Sequence, residues 1–281
     1  MSPVRAVLAA GAARLAAAGI VSARLDARVL LAQVLRVEAN EVPALSRDLT
    51  AGEQAAYEVS LGRRAAREPL AYISGAKEFW SLDFEVGPGA LVPRPETETL
   101  IEAALAAFPD RDAPLRILDL GTGTGCLLLT ALTLYPNATG IGIDASAAAL
   151  AWAGRNVKRH GLSDRATLRL GDWNAARESR FDIVFSNPPY LRRAEMAGLE
   201  PELAHEPASA LESGADGLDA YRALGPAIAA VLAPAGRGFV EIGAGQGPAA
   251  GAALEQGGLE IQSIVPDLSP VPRCIVVRLA G

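Results

Sequence analysis

The stretch Arg116-Ile-Leu-Asp-Leu-Gly121-Thr-Gly-Thr-Gly125-Cys126 decides how this chain is read. Its first half is a short strand-like run. Its second half packs three glycines into five residues before the next apolar run begins. Glycine at a strand-to-helix turn lets the backbone bend sharply and approach a ligand that faces the helix N-terminus. A dinucleotide fingerprint, Gly-x-Gly-x-x-Gly, counted from Gly121 would need its third glycine at position 126. Cys126 stands there and Gly125 comes one residue early, so the spacing suits a ligand that carries no pyrophosphate.

From Arg116 onward, strand and helix signals alternate. Strands are expected at 117–120, 139–143, 166–170, 182–186, 238–242, 260–265 and 273–279, with helices at 126–134, 147–160, 220–232 and 248–255. Such alternation predicts a parallel sheet covered by helices on both faces. Residues 266–272 are too few for a helical crossover, so the last two strands should pair antiparallel. The expected architecture is α/β, with a seven-stranded, mostly parallel sheet and an antiparallel last strand.

Upstream the period changes. Residues 4–18 carry apolar side chains at helical spacing and stop at Gly19, and Val29, Leu30, Val34 and Leu35 form one stripe within 25–35. Thr50-Ala-Gly-Glu53 fits a capping box that opens a helix to about Arg67, where Pro69 blocks continuation. Residues 1–75 thus read as a small N-terminal helical domain without a catalytic motif, suited to partner binding. Tyr72, Ile73, Phe79, Trp80, Leu82, Phe84 and Val86 suggest a hairpin broken near Gly75. Residues 76–92 are therefore expected as a β-hairpin linker ahead of a ligand-binding domain at 93–281. Gly87-Pro88-Gly89 marks a loop, and Pro95 fits the first turn of a helix through Leu100, Ile101 and Leu105.

The 281 residues leave room for two domains, and 50% hydrophobic against 21% charged residues is globular composition. The apolar stretch from Ala223 to Ala235 contains Pro226 and Pro234 and is too short to span a bilayer. The Ala-rich run behind Met1-Ser2-Pro3-Val4-Arg5 is amphipathic and broken by Arg14, unlike a signal peptide. A soluble cytoplasmic protein with no membrane partner is expected. Cys126 and Cys274 cannot form a disulfide framework or a four-ligand metal site, and His160 and His205 have no matching ligand set, so no metal is expected. A formal net charge of −6 argues against a surface built to neutralise phosphates.

Two further strand ends extend the ligand reading. Asp144 closes the second strand, about 20 residues past the glycine loop, where a carboxylate accepts from ribose hydroxyls. Asp172-Trp173 follows the third strand, where the carboxylate or its backbone can meet an adenine amine and the indole can cover the purine. With Gly121, Thr122, Gly123, Thr124 and Gly125, these residues outline a site for S-adenosylmethionine at the strand C-termini, where open sheets bind ligands.

The fourth strand, Phe181-Asp-Ile-Val-Phe-Ser186, runs into Asn187-Pro188-Pro189-Tyr190 beside that site. An amide or aryl amine nitrogen is a poor nucleophile because its lone pair is delocalised. If the Asn187 side-chain oxygen and the Pro188 carbonyl each accept one N–H, the nitrogen is held with its lone pair toward the methyl donor. The same oxygens stabilise the positive charge that grows on it. Proline adds rigidity and brings no competing N–H, while Tyr190 can pack its ring on the flat group. This logic serves the adenine N6 amine and the glutamine side-chain amide equally.

Six segments then fall in a familiar order: Gly75-Ala-Lys-Glu78-Phe79-Trp80, Leu91-Val-Pro93-Arg94-Pro95-Glu96-Thr97-Glu98, Asp119–Gly125, Asn187–Tyr190, Glu206-Pro-Ala-Ser-Ala210-Leu211, and Asp267 with Pro272-Arg273. Together they resemble the HemK/PrmC type of peptide chain release factor N5-glutamine methyltransferase. The resemblance covers nearly the whole chain. Its sharpest marker is Pro-Arg-Pro-Glu-Thr-Glu, since the related ribosomal-protein glutamine methyltransferases have Ser-Pro after the arginine. The resemblance implies a Rossmann-like methyltransferase sheet and methylation of N5 in the Gly-Gly-Gln glutamine of release factors. It implies Gly121–Gly125, Asp144, Trp173 and Asn187 at the cofactor. Asn187, Pro188, Pro189 and Tyr190 would hold the glutamine, with Asn187 and Pro188 carrying catalysis. Arg94 and Glu96 would order the chain near the cofactor or form a structural ion pair, and the helical domain would help dock the release factor. Methylation of adenine N6 in nucleic acid is the runner-up; given the acidic balance, no direct sequence-specific nucleic-acid binding is expected. Cys126, where the family usually has Ala or Ser, should pack as a small apolar side chain. Ser269-Pro270-Val271 departs from the usual composition of its turn.

Overall fold

The computed structural model describes residues 3–177 and 179–281; Met1 and Ser2, which head the run read above against a signal peptide, lie outside it with Glu178. The chain forms two compact units: residues up to Ala76 together with Glu200–His205, and Lys77–Leu199 together with Glu206–Gly281.

The first unit is built from α1 (Val4–Ala17), α2 (Ala23–Leu35), α3 (Ala51–Ala65) and the short α4 (Leu70–Ser74) around Leu15, Leu30, Leu31, Tyr57 and Leu61. The capping box opens α3 as its sequence demands: the Glu53 N–H donates to Thr50 Oγ1 at 3.2 Å, and the Thr50 N–H donates to Glu53 Oε2 at 2.8 Å. Buried Arg64 donates to Asp26 at 2.7 Å and to Glu202 at 2.9 Å, although Glu202 lies 138 residues downstream. That network explains why a six-residue segment from the far end of the chain belongs to the helical unit.

One expectation needs correcting. Tyr72 and Ile73 lie in α4 and not in a strand. Pro69 precedes α4 and Gly75 closes it in the left-handed conformation, at φ 73°. A proline before a first turn and a glycine after the last one favour a helix over any strand. The hairpin itself is shorter, β1 (Ala76–Phe79) and β2 (Leu82–Glu85), turning at Trp80 and Ser81 with φ of 53° and 59°.

The second unit carries the sheet. Its strands are β3 (Arg116–Leu120), β4 (Thr139–Asp144), β5 (Ala166–Leu170), β6 (Phe181–Ser186), β7 (Leu232–Glu241), β8 (Leu259–Pro266) and β9 (Pro272–Leu279). Around them lie α5 (Glu98–Ala107), α6 (Cys126–Leu134), α7 (Ala147–Arg159), α8 (Asp219–Val231) and α9 (Gly247–Gln256). The strands stand in the order β5-β4-β3-β6-β7-β9-β8, and β9 runs antiparallel to both neighbours. A mostly parallel sheet with an antiparallel last strand is thus what the alternation and the short final connection produce. Leu118, Leu120, Val184, Val240 and Ile275 are fully buried within it, as are Phe185 and Phe239, whose ring centroids lie 5.6 Å apart. Truncating such a phenylalanine to alanine typically costs about 3–5 kcal/mol.

The strand order also decides where a ligand can bind. The chain winds outward from β3 through β4 to β5, then returns to place β6 on the other side of β3. The connections leaving β3 and β6 diverge and open a crevice at the strand C-termini. The glycine loop and the proline turn leave from these two adjacent strands.

Candidate active site

A cavity of about 460 Å³ occupies that crevice. It falls within the range of small-molecule sites, roughly 300–1,000 Å³.

The loop after β3 forms its floor. Gly121, Gly123 and Gly125 have φ of 79°, 57° and 83°, which only glycine adopts without strain. Hydrogen bonds internal to the fold hold this shape. The N–H groups of Gly121 and Thr122 donate to the Ile143 carbonyl at 2.8 and 2.9 Å, and that of Gly123 donates to Asp144 Oδ2 at 2.8 Å. Asp144 also accepts from the Ser146 N–H through Oδ1, so one carboxylate fixes both the loop and the entry to α7. Gly121, Thr122, Gly123, Thr124, Asp144, Asp172 and Trp173 all line the cavity. Gly125 does not line it; it opens α6 from a left-handed conformation.

Beneath the loop lies Asp119, 1% exposed, accepting from Thr122 Oγ1 at 2.7 Å. Burial pushes its carboxyl up to about 7, against the lowering effect of that hydrogen bond. Cys126 lines the cavity, and burial pushes its thiol up to about 12, so it remains a small neutral side chain.

The turn after β6 contributes to the same cavity. The Ser186 hydroxyl donates to the Leu120 carbonyl at 2.7 Å and ties the ends of β6 and β3 together. Asn187, Pro188 and Pro189 line the same cavity as the glycine loop. Asn187 Nδ2 donates to Thr97 Oγ1 at 3.1 Å. Tyr190 does not line this cavity; it borders a neighbouring groove with Leu191, Arg192, Gln246 and Arg273. Its backbone is pinned there, its carbonyl accepting from Gln246 Nε2 at 2.9 Å and its N–H donating to the Leu211 carbonyl at 3.2 Å. Burial pushes the Tyr190 hydroxyl up to about 12, so it stays protonated.

Several lining residues come from the family-like segments quoted above without having been assigned to the site. Pro207, Ser209 and Ala210 reach the cavity because buried Glu206 accepts from the Val92 N–H at 2.9 Å and pairs with Arg94. Arg94 therefore has a structural ion-pair partner, while Glu96 is exposed. Thr97 also lines the cavity and favours the charged form of the buried Glu241 carboxyl, which burial pushes up to about 7. A glutamate in the otherwise apolar run Gly238-Phe-Val-Glu241-Ile was the one available clue.

Among the described residues, no group of three or more His, Cys, Asp or Glu side chains could hold a metal ion. No helix among them is long and apolar enough to cross a membrane.

Comparison with known proteins gives a consistent picture. Residues 6–75 match the PrmC N-terminal domain, and residues 111–248 match a methyltransferase domain. The chain is similar to a release factor glutamine methyltransferase from Rhodospirillum rubrum, 46% identical over 95% of this chain and 82% of that protein. It is equally similar to a protein of the same description from Cereibacter sphaeroides, 46% identical over 97% of each chain. A solved methyltransferase from Pyrococcus furiosus shares the fold, with a TM-score of 0.53 at 19% identity over 77% of this chain and 97% of that one.

Proposed function

The chain belongs to the release factor glutamine methyltransferases, and from that premise we propose that it methylates N5 of the glutamine in the Gly-Gly-Gln motif of peptide chain release factors, with S-adenosylmethionine as donor. The observation that carries this reading is that Asn187-Pro188-Pro189 and the glycine loop line one cavity.

The residues present fit the donor. The Asp144 carboxylate stands at the cavity wall for ribose hydroxyls, Trp173 offers a flat apolar face, and Leu91, Leu120 and Ala149 supply an apolar lining. When bound, S-adenosylmethionine supplies an electrophilic methyl group on a sulfonium sulfur. The protein's own part is positioning and electrostatics. The Asn187 side-chain oxygen and the Pro188 carbonyl accept the two N–H groups of the substrate amide and turn its lone pair toward the methyl. Both acceptors oppose the positive charge that develops on nitrogen and strengthen as it grows. The methylated nitrogen then loses its extra proton to water without a dedicated base. Tyr190, at the edge of the neighbouring groove, flanks the entering glutamine, and the helical unit docks the body of the release factor.

The test supplies labelled cofactor with either a purified release factor or duplex DNA. Label on the release factor alone is the expected result. Label on DNA adenine alone would transfer the same clamp to a nucleic-acid amine and overturn the assignment.

A further inference from the structure

The side-chain amide of Asn187 can face the cavity in two ways, and only one of them serves an incoming NH2 group. With Oδ1 forward it accepts; with Nδ2 forward it repels the donor it should hold. The choice is made behind Asn187, by residues outside the Asn-Pro-Pro-Tyr turn.

Asn187 Nδ2 donates to Thr97 Oγ1 at 3.1 Å. Thr97 is 1% exposed and its hydroxyl faces the buried Glu241 carboxyl, whose charged form it favours. Glu241, at the end of β7, is 2% exposed; one of its oxygens, Oε2, has no partner, and among the described residues no cation lies within ion-pairing distance. A buried carboxylate without a counter-ion is costly, so a fold that keeps one beside a ligand cavity marks a functional position. In its ionised form this carboxylate only accepts, so the Thr97 hydroxyl hydrogen then points at Glu241. What Thr97 then offers Asn187 is a lone pair, which only Nδ2 can use.

We propose that Glu241 and Thr97 form a positioning relay that fixes the amide of Asn187 with Oδ1 toward the substrate nitrogen. The relay rests on the functional reading above, in which that oxygen accepts a substrate N–H. Neither Thr97 nor Glu241 touches the reacting atoms; both act through Asn187. Glu241→Gln breaks the polarity, because the new NH2 can donate to Thr97, whose hydroxyl then donates to Asn187 and turns Nδ2 forward. Thr97→Val deletes the relay at nearly constant shape.

The test is a set of steady-state measurements on the full-length protein with a purified release factor, alongside cofactor binding by calorimetry. Thr97→Val and Glu241→Gln should each lower kcat about tenfold or more while KM for the release factor and cofactor affinity stay within about threefold. Thr97→Ser, which keeps the hydroxyl, should recover most of the rate. In an Asn187→Ala background, Thr97→Val should lower the rate less than twofold, since the relay has nothing left to orient. Equal losses in both backgrounds would overturn the relay and leave Thr97 a merely structural residue. Full kcat in Glu241→Gln would overturn it too, and that near-isosteric variant decides the matter if Thr97→Val folds poorly. Wild-type protein that methylates no release factor would instead defeat the functional reading, an outcome visible before any variant is made.

Discussion

Two neighbouring strands, β3 and β6, end at the same cavity by opposite chemical means. The loop after β3 is glycine-rich, with three positive φ values, and it uses its own N–H groups on Ile143 and Asp144 to hold its shape. The turn after β6 is proline-rich, has fixed φ, and contains two residues without any N–H. The first is a self-satisfied scaffold that lets a ligand lie close to the backbone. The second presents acceptors beside two prolines that bring no N–H, with the Asn187 NH2 donating away to Thr97. A cofactor site needs shape, and an NH2 clamp needs acceptors, so under the proposed function the difference would divide binding from chemistry between adjacent strand ends.

That division can be broken one side at a time. Asn187→Ala removes an acceptor from the β6 side. Turnover should fall roughly a hundredfold or more, while calorimetry still finds cofactor binding. Unchanged turnover would mean that the clamp lies elsewhere. On the β3 side, Gly123→Ala forces a side chain into the left-handed region at φ 57°. At about 1–2 kcal/mol of backbone strain, cofactor affinity should weaken about tenfold, with kcat at saturating cofactor nearly preserved. A collapse of kcat with normal affinity would erase the proposed separation.

The smallest expected effect concerns stability. The buried Asp119 carboxyl sits at about 7, above its usual 3.8, mainly because of desolvation. The fold therefore favours its protonated form, and this contribution is full below about pH 4 and lost as pH rises through 7. Asp119→Asn should gain several degrees in melting temperature relative to the parent at pH 8 compared with pH 5, each kcal/mol being worth about 2–4 °C. A pH-independent difference would mean that Asp119 is already charged in the fold.

The contrast between the two strand ends was readable because φ constraints are local. Three glycines in five residues and two adjacent prolines announce their backbone directly, as did the short link that makes β9 antiparallel. Other features had no local signature. Tyr72 and Ile73 are an apolar pair that fits either period, so only the flanking Pro69 and Gly75 reveal the helix. β7 starts at Leu232, six residues before the expected strand at 238–242, because Leu232 pairs with Phe181 across an irregular register. Arg94 meets Glu206 across 112 residues, and Arg64 meets Glu202 across 138. Thr97 lies in the sharpest marker segment and Glu241 in an apolar run, but nothing in the sequence joins them; burial and the Thr97–Asn187 hydrogen bond reveal their place behind Asn187.

If the turn after β6 activates a protein side-chain amide, fragment-ion mass spectrometry of treated release factor detects the product. Wild-type protein should leave one methyl group on the amide nitrogen of the Gly-Gly-Gln glutamine, and Asn187→Ala almost none. A methyl group on any other residue, or equal modification by both proteins, would contradict it.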